Sequence, residues 1–321
     1  MKSIASTNPL FFPRPNTMTP YTASLLDDSG ARLRNPMNPK GGKPNSIESR
    51  LEGKLVLPVG TEALASRYRA AKPFRHLVLD DMFPPELLEM LLLEIPELSE
   101  ENWVHHDEDR LVKFNLRSAL ELSETGLQLT AFLHSALFLY FLSELTGIWN
   151  LLPDPYLQGA GYHVIPPGGH FDIHADRNTD YTNGLTRRLA LIIYLNKSWK
   201  TEFGGQLELW NSDATRREAI VEPLFNRTVI FEVLDQNFHG VPTPVAPAAG
   251  RGRKSFVAYY HTARSGNQEA PPHTSIYAPM LYRRKESKVR RLIKDIVPPI
   301  VLRRLKKLRP DNSTTSKELS E

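Results

Sequence analysis

Four short runs rich in β-branched and aromatic residues follow one another from Leu189 to Tyr260, and they commit this stretch of the chain to strands. Leu189 to Asn196 is apolar on both faces and belongs in the middle of a sheet. Phe203 to Trp210 ends in the alternating tail of a half-exposed strand, and Arg227 to Val233 is another β-branched run. The last run, Lys254 to Tyr260, begins beside Arg253, and strand alternation places Arg253, Ser255, Val257 and Tyr259 on one face. The order of these runs and the punctuation between them suit a wound barrel of antiparallel strands.

Ahead of these runs, the turn Pro166-Pro167-Gly168-Gly169 leads into His174-Ala175-Asp176, and a lone His239 follows the third strand in Asn237-Phe238-His239-Gly240-Val241-Pro242. Two imidazoles and one carboxylate can hold a redox metal on one face and leave the other open, as in non-haem Fe(II) oxygenases. The signal has a competitor, because His170-Phe171-Asp172 has the same spacing. Each element also has an ordinary structural reading. A His before Gly-Val-Pro can cap a loop, an Arg opening a strand is usually a solvated edge charge, and paired glycines are turn residues. An Arg and a Ser side by side on one strand face can grip a carboxylate. His105, His106, His134, His261 and His273 are read as non-catalytic, and His163, on the strand entering the Gly turn, as a pocket residue.

The ordered set extends from Pro167-Gly168-Gly169 and His174-Ala175-Asp176 through Arg187-Arg188-Leu189, Tyr194-Leu195-Asn196 and Trp199. It continues through Gly204-Gly205-Gln206-Leu207, Pro223-Leu224-Phe225-Asn226-Arg227, His239-Gly240-Val241-Pro242 and Arg253-Lys254-Ser255. In this order the motifs resemble the 2-oxoglutarate and Fe(II)-dependent dioxygenases of the prolyl 4-hydroxylase-like branch, over residues 155 to 262 with weaker similarity from Pro73. The resemblance implies a mainly β fold with supporting helices, a double-stranded β-helix or jelly-roll barrel. It implies His174, Asp176 and His239 as iron ligands, with His170 and Asp172 set aside because the family's ligand pair follows the Gly turn by several residues. Arg253 then pairs with the distal carboxylate of 2-oxoglutarate, with Ser255 and Tyr194 beside it, and Arg251 is the substitute because the segment after His239 is long. Fe(II), 2-oxoglutarate and O2 are the implied cofactor and cosubstrates, with succinate and CO2 released. An Asp at 176 favours hydroxylation over halogenation, since halogenating relatives lack that carboxylate.

The rest of the chain divides by composition. Residues 1 to 70, rich in Pro, Asn, Ser and Gly, read as a disordered arm. Residues 71 to 150 read as a supporting α/β segment, 151 to 265 as the catalytic barrel, and 266 to 321 as a basic tail. The supporting segment opens with a strand at Phe74 to Asp80, then a helix from Pro85 to about Ile95 and a second helix from Leu127 to Leu145, stopped at Gly147. From Arg283 to Arg309 the net charge is +10 against +4 for the whole chain, so the remainder carries −6. Two short basic amphipathic helices are expected there, suited to peripheral contact with an anionic membrane or an acidic partner. No nucleic-acid partner is expected, because no aromatic platform accompanies the charges. The absence of cysteine excludes thiolate metal sites and disulfides, and with no signal-like N-terminus the expected compartment is the cytoplasm.

The expected protein is therefore an oxygenase acting on peptidyl proline, an amino acid or another small molecule. Substrate contacts are expected from Glu100 to Leu120 and from Arg177 to Thr186. Two rivals remain: a non-catalytic barrel used as a binding module and tethered by its tail, and a cupin-like metal enzyme that tolerates loss of Arg253.

Overall fold

The computed structural model describes residues 61–98, 101–180, 183–250, 252–264 and 271–278. Most of the N-terminal arm, Arg251 and the basic run from Arg283 to Arg309 with its expected helices lie outside them. Four helices are described: α1 (Thr61–Ala70), α2 (Pro85–Leu93), α3 (Glu124–Leu133) and α4 (Ala136–Thr146). The strands are β1 (His76–Leu79), β2 (Trp103–Glu108), β3 (Leu111–Leu116), β4 (Leu152–Pro153), β5 (Gly161–Ile165), β6 (His170–Ala175) and β7 (Thr186–Tyr194). They continue with β8 (Leu207–Trp210), β9 (Arg217–Val221), β10 (Thr228–Glu232), β11 (His239–Val241), β12 (Arg253–Thr262) and β13 (Ile276–Tyr277).

All strand pairs are antiparallel, in the order β1-β10-β7-β12-β5-β3-β6-β11-β8-β9, with β2 on β3, β4 on β12 and β13 on β6. β3 bonds to both β5 and β6 and so joins the two halves of the sheet into a nearly closed jelly-roll barrel. β7 and β12 are apolar on both faces because both faces are covered. Leu189, Leu191 and Ile193 join the core beneath the helices, while Ala190 and Ile192 line the barrel interior. On β12, Phe256 and Tyr260 turn toward the helices, where Tyr260 Oη donates to Leu133 O at 3.2 Å, and the alternate residues point inward.

Three expectations need correction. Residues 61–70, read as part of a disordered arm, form α1, because Leu64, Ala65 and Tyr68 make one apolar face that is buried. The single helix from Leu127 to Leu145 is two helices bent by 52°. Ser135 accepts from Phe138 N at 3.3 Å and caps a new helix there, as Ser123 caps α3 through Gly126 N at 3.0 Å; Gly147, at φ 75°, ends α4 as expected. Ile276 and Tyr277, expected within a basic tail from 266, instead pair as a short strand with Ala175 and His174 of β6. Among the described residues no single helix is long and apolar enough to cross a membrane. The bent pair meets that test by length and composition, but Leu129, Leu133, Phe138, Phe141 and Leu142 are buried in the core against the sheet.

Half-buried His134 and buried His261 give the fold a pH dependence. Burial pushes both rings from 6.5 down to about 4, and neither ring nitrogen of His261 has a hydrogen-bond partner. The unfolded chain takes up these protons near pH 6.5 and the folded chain only near pH 4, so their stabilisation is complete above 6.5 and lost as pH falls toward 4. The metal-free protein is expected to melt at progressively lower temperature from pH 7 to pH 5, with a shallower slope in His134→Gln. A melting temperature independent of pH across that window contradicts this account.

Candidate metal centre and adjoining cleft

β6 and β11 carry the two histidines. His239 lies opposite His174 and Val241 opposite Phe171, so two steps on β11 span three on β6. The extra residue is a bulge that reverses the side-chain parity of β6 between Phe171 and His174. Phe171 and His174 consequently share the interior face, with ring centroids 3.7 Å apart. His170 is turned away, with Nε2 3.2 Å from Asp109 O, and Asp172 lines neither the interior pocket nor the adjoining cleft. Gly240 makes the close approach possible: a Cβ there would stand 2.8 Å from Asp172 O and 2.9 Å from Phe171 O.

One ligand atom each from His174, Asp176 and His239 lies within 4.8 Å of the other two, and all three residues are buried. Asp176 Oδ1 is 3.3 Å from His174 Nε2 and 3.8 Å from His239 Nε2. His174 Nδ1 lies 2.8 Å from Asp172 O and His239 Nδ1 lies 2.9 Å from Asn237 O. A carbonyl only accepts, so each Nδ1 carries the proton and each Nε2 turns a lone pair to the centre. His174 Nε2 is buried with no hydrogen-bond partner. Burial alone would raise the Asp176 carboxyl, but the His174 and His239 rings and Arg187 outweigh it and hold it well below the usual carboxylate range. Burial likewise pushes His239 down to about 4, with Asp176 opposing. Two imidazoles and one carboxylate thus share one buried centre, and the donor set fits a divalent first-row metal.

The same interior pocket, about 60 Å³, is also lined by Arg253 and Ser255. Arg253 donates from Nη2 to Tyr194 Oη at 3.2 Å, its guanidinium carbon lies 4.8 Å from the Tyr194 ring centroid, and its Nε is buried without a partner. Among the described residues no carboxylate pairs with it. A buried cation facing a small cavity without an anion is an unbalanced charge that an anionic ligand would complete. The fold therefore brings Tyr194, Arg253 and Ser255 together, and with them His163, which lines the pocket and holds Gly159 O through Nε2 at 2.9 Å.

Lys113 was not foreseen. It lines the pocket from β3, with Nζ 4.8 Å from the Phe171 ring centroid, and burial pulls its ammonium down to about 8 against the attraction of Asp176. Its run, Leu111 to Leu116, alternates weakly, and nothing local says that this strand closes the barrel. Asp176, Lys113, Phe171 and Tyr259 also border an outer cleft of about 640 Å³. Of the two segments from which substrate contacts were expected, the first supplies much of the cleft wall, from Val104 on β2 to Ser118 after β3. The second supplies less. Within its described part only Arg177 lines the cleft, whereas Asn178 turns aside to donate to Pro271 O at 3.1 Å. Arg187 and Tyr277 complete the wall on that side.

Residues 158–261 match the model of the 2OG-Fe(II) oxygenase superfamily, a span that contains His174, Asp176, His239, Arg253 and Ser255 but not Lys113. No curated protein matches the chain. Among solved structures, a Pseudomonas putida prolyl-4-hydroxylase is 19% identical, with a TM-score of 0.44 over 63% of this chain and 99% of that one. A Trichoplax adhaerens prolyl hydroxylase, solved with a peptide fragment of the hypoxia inducible factor oxygen degradation domain, is 16% identical, with a TM-score of 0.44 over 63% and 88%. HygX from Streptomyces hygroscopicus, solved with nickel and 2-oxoglutarate, is 11% identical, with a TM-score of 0.42 over 63% and 92%.

Proposed function

With residues 158–261 matching the model of the 2OG-Fe(II) oxygenase superfamily, we propose that this protein is a hydroxylase that binds Fe(II) at His174, Asp176 and His239 and 2-oxoglutarate at Arg253. The observation that carries this reading is the meeting, in one buried pocket, of three metal-ready donors and a guanidinium without an anion. Fe(II) and 2-oxoglutarate bound there would activate O2 to place a hydroxyl on a substrate carbon, with succinate and CO2 as coproducts.

The chain's own residues position and shield. The carbonyls of Asp172 and Asn237 hold the two imidazoles in the tautomer that presents Nε2. Arg253 offers a planar fork to the distal carboxylate, Tyr194 Oη keeps that fork oriented, and Ser255 adds a hydroxyl. Ile165, Ile192, Leu207 and Val257 add apolar wall between these groups, which limits water beside the reacting groups. The substrate, whether peptidyl proline, an amino acid or another small molecule, would enter by the outer cleft.

Succinate release by the Fe(II)-loaded full chain tests the reading. Oxygen-dependent succinate formation from 2-oxoglutarate is expected, slow without substrate and lost on adding a chelator. A folded, iron-loaded protein that forms no succinate and gives no 2-oxoglutarate binding would make the barrel a binding module instead.

A further inference from the structure

Arg177 and Arg187 stand side by side on the cleft wall, and each donates from Nη2 to the same carbonyl, Gln158 O, at 2.7 and 3.3 Å. Arg187 is only 3% exposed, lies over the Tyr259 ring with its guanidinium carbon 3.5 Å from the centroid, and has a buried Nε without a hydrogen-bond partner. Among the described residues no carboxylate forms an ion pair with either arginine. Of the residues lining the cleft, Lys113, Arg117, Arg177 and Arg187 are cationic and Asp176 alone is anionic, and Asp176 faces the metal donors.

Two adjacent guanidinium groups repel each other, and a buried charge without a partner is costly. Holding a loop through Gln158 O would need only one of them. The stack on Tyr259 instead fixes the plane of Arg187, and a fixed planar fork is suited to a carboxylate or phosphate. We propose that Arg177 and Arg187 are the anchor for an oxyanion, carboxylate or phosphate, carried by the substrate, so that this enzyme acts on an acidic molecule held by its charged end. Arg177 follows Asp176 directly, and Tyr259 borders both spaces, so the carbon oxidised lies near the acidic group rather than at the far end of a long chain. Asp176 and Asp154 attract Arg187 only from beyond ion-pair distance, so a neutral substrate that displaced water from the cleft would leave the pair without a direct anionic partner. The inference rests on the hydroxylase reading for the meaning of the cleft, but the anion site can be measured separately.

The test is line broadening in NMR, with phenyl phosphate observed by 31P and 4-fluorobenzoate by 19F, against the full chain. At least one probe is expected to broaden saturably, while neutral 4-fluorobenzamide does not. Arg177→Gln, on a half-buried side chain, is expected to weaken binding by roughly tenfold or more, which is about 1.4 kcal/mol. Arg187→Lys should weaken it too, and Arg253→Ala should leave it in place. The tighter probe distinguishes phosphate from carboxylate. With Mn(II) and 2-oxoglutarate added, extra relaxation of the bound probe would place it beside the metal. If neither probe saturates, or if binding is unchanged in both Arg177→Gln and Arg187→Lys, the anchor is overturned. If the probe binds but Mn(II) and 2-oxoglutarate do not, the hydroxylase reading fails and the anion site stands.

Discussion

Alanine at position 174 is expected to abolish Fe(II) binding and succinate formation, while alanine at position 170 leaves both in place. The two histidines belong to identical His-x-Asp spacings on one strand, yet only His174 Nε2 lies beside Asp176 and His239 Nε2. Changes to groups that merely orient a metal ligand cost about 10 to 100-fold, so removing the ligand itself should cost more than roughly 100-fold in activity. His170→Ala removes a buried ring and its contact with Asp109 O, so it should lower the melting temperature without touching the centre. Anaerobic visible absorption on adding Fe(II) and 2-oxoglutarate reads the difference directly. The charge-transfer band should be present in wild type and in His170→Ala and missing in His174→Ala. A band retained in His174→Ala and missing in a folded His170→Ala would reverse the ligand assignment.

Arg253→Ala is expected to raise the 2-oxoglutarate concentration needed for half-maximal succinate formation by roughly 100-fold, with iron affinity little changed. Removing one partner of a buried charge pair costs about 2 to 5 kcal/mol, much of it from the charge left unpaired. The cosubstrate carboxylate would then face Tyr194 and Ser255 alone. Arg253→Lys should recover part of the loss, since it restores the charge but not the fork. Tyr194→Phe removes a single hydrogen bond, at 3.2 Å, and should cost about 1 kcal/mol. Unchanged dependence on 2-oxoglutarate in Arg253→Ala would favour a metal enzyme that does not use that cosubstrate.

Much of this site could be read along the chain because strand alternation is a local rule. Arg253 and Ser255 share a face for that reason alone, and the structure turns both inward together with Val257 and Tyr259. The helix beginning at Pro85 and the end of α4 at Gly147 were legible for the same reason, since caps act over a few residues. The break at Ser135 was not, because the apolar pattern continues across it and only the hydrogen bond to Phe138 N shows a new helix. Lys113 escaped notice because β3 has no internal signal of its role; its place follows from pairing with β5 and β6 at once.

Side-chain chemistry and a period of two residues were enough to specify the long apolar strands such as β7, β10 and β12, the kinds of metal donor on offer and the face that carries Arg253, since each of these is a property of neighbours along the chain. Which His-x-Asp pair looks into the barrel depends instead on how distant strands meet. The bulge in β6 exists only against β11, and one extra residue in a strand exchanges its two faces. Strand pairing likewise brought Lys113 into the pocket of the metal donors, since β3 reaches that pocket only by pairing with β5 and β6, while the loop between β6 and β7 folds back through Arg187 N to Asn178 O and sets Arg177 and Arg187 at one carbonyl.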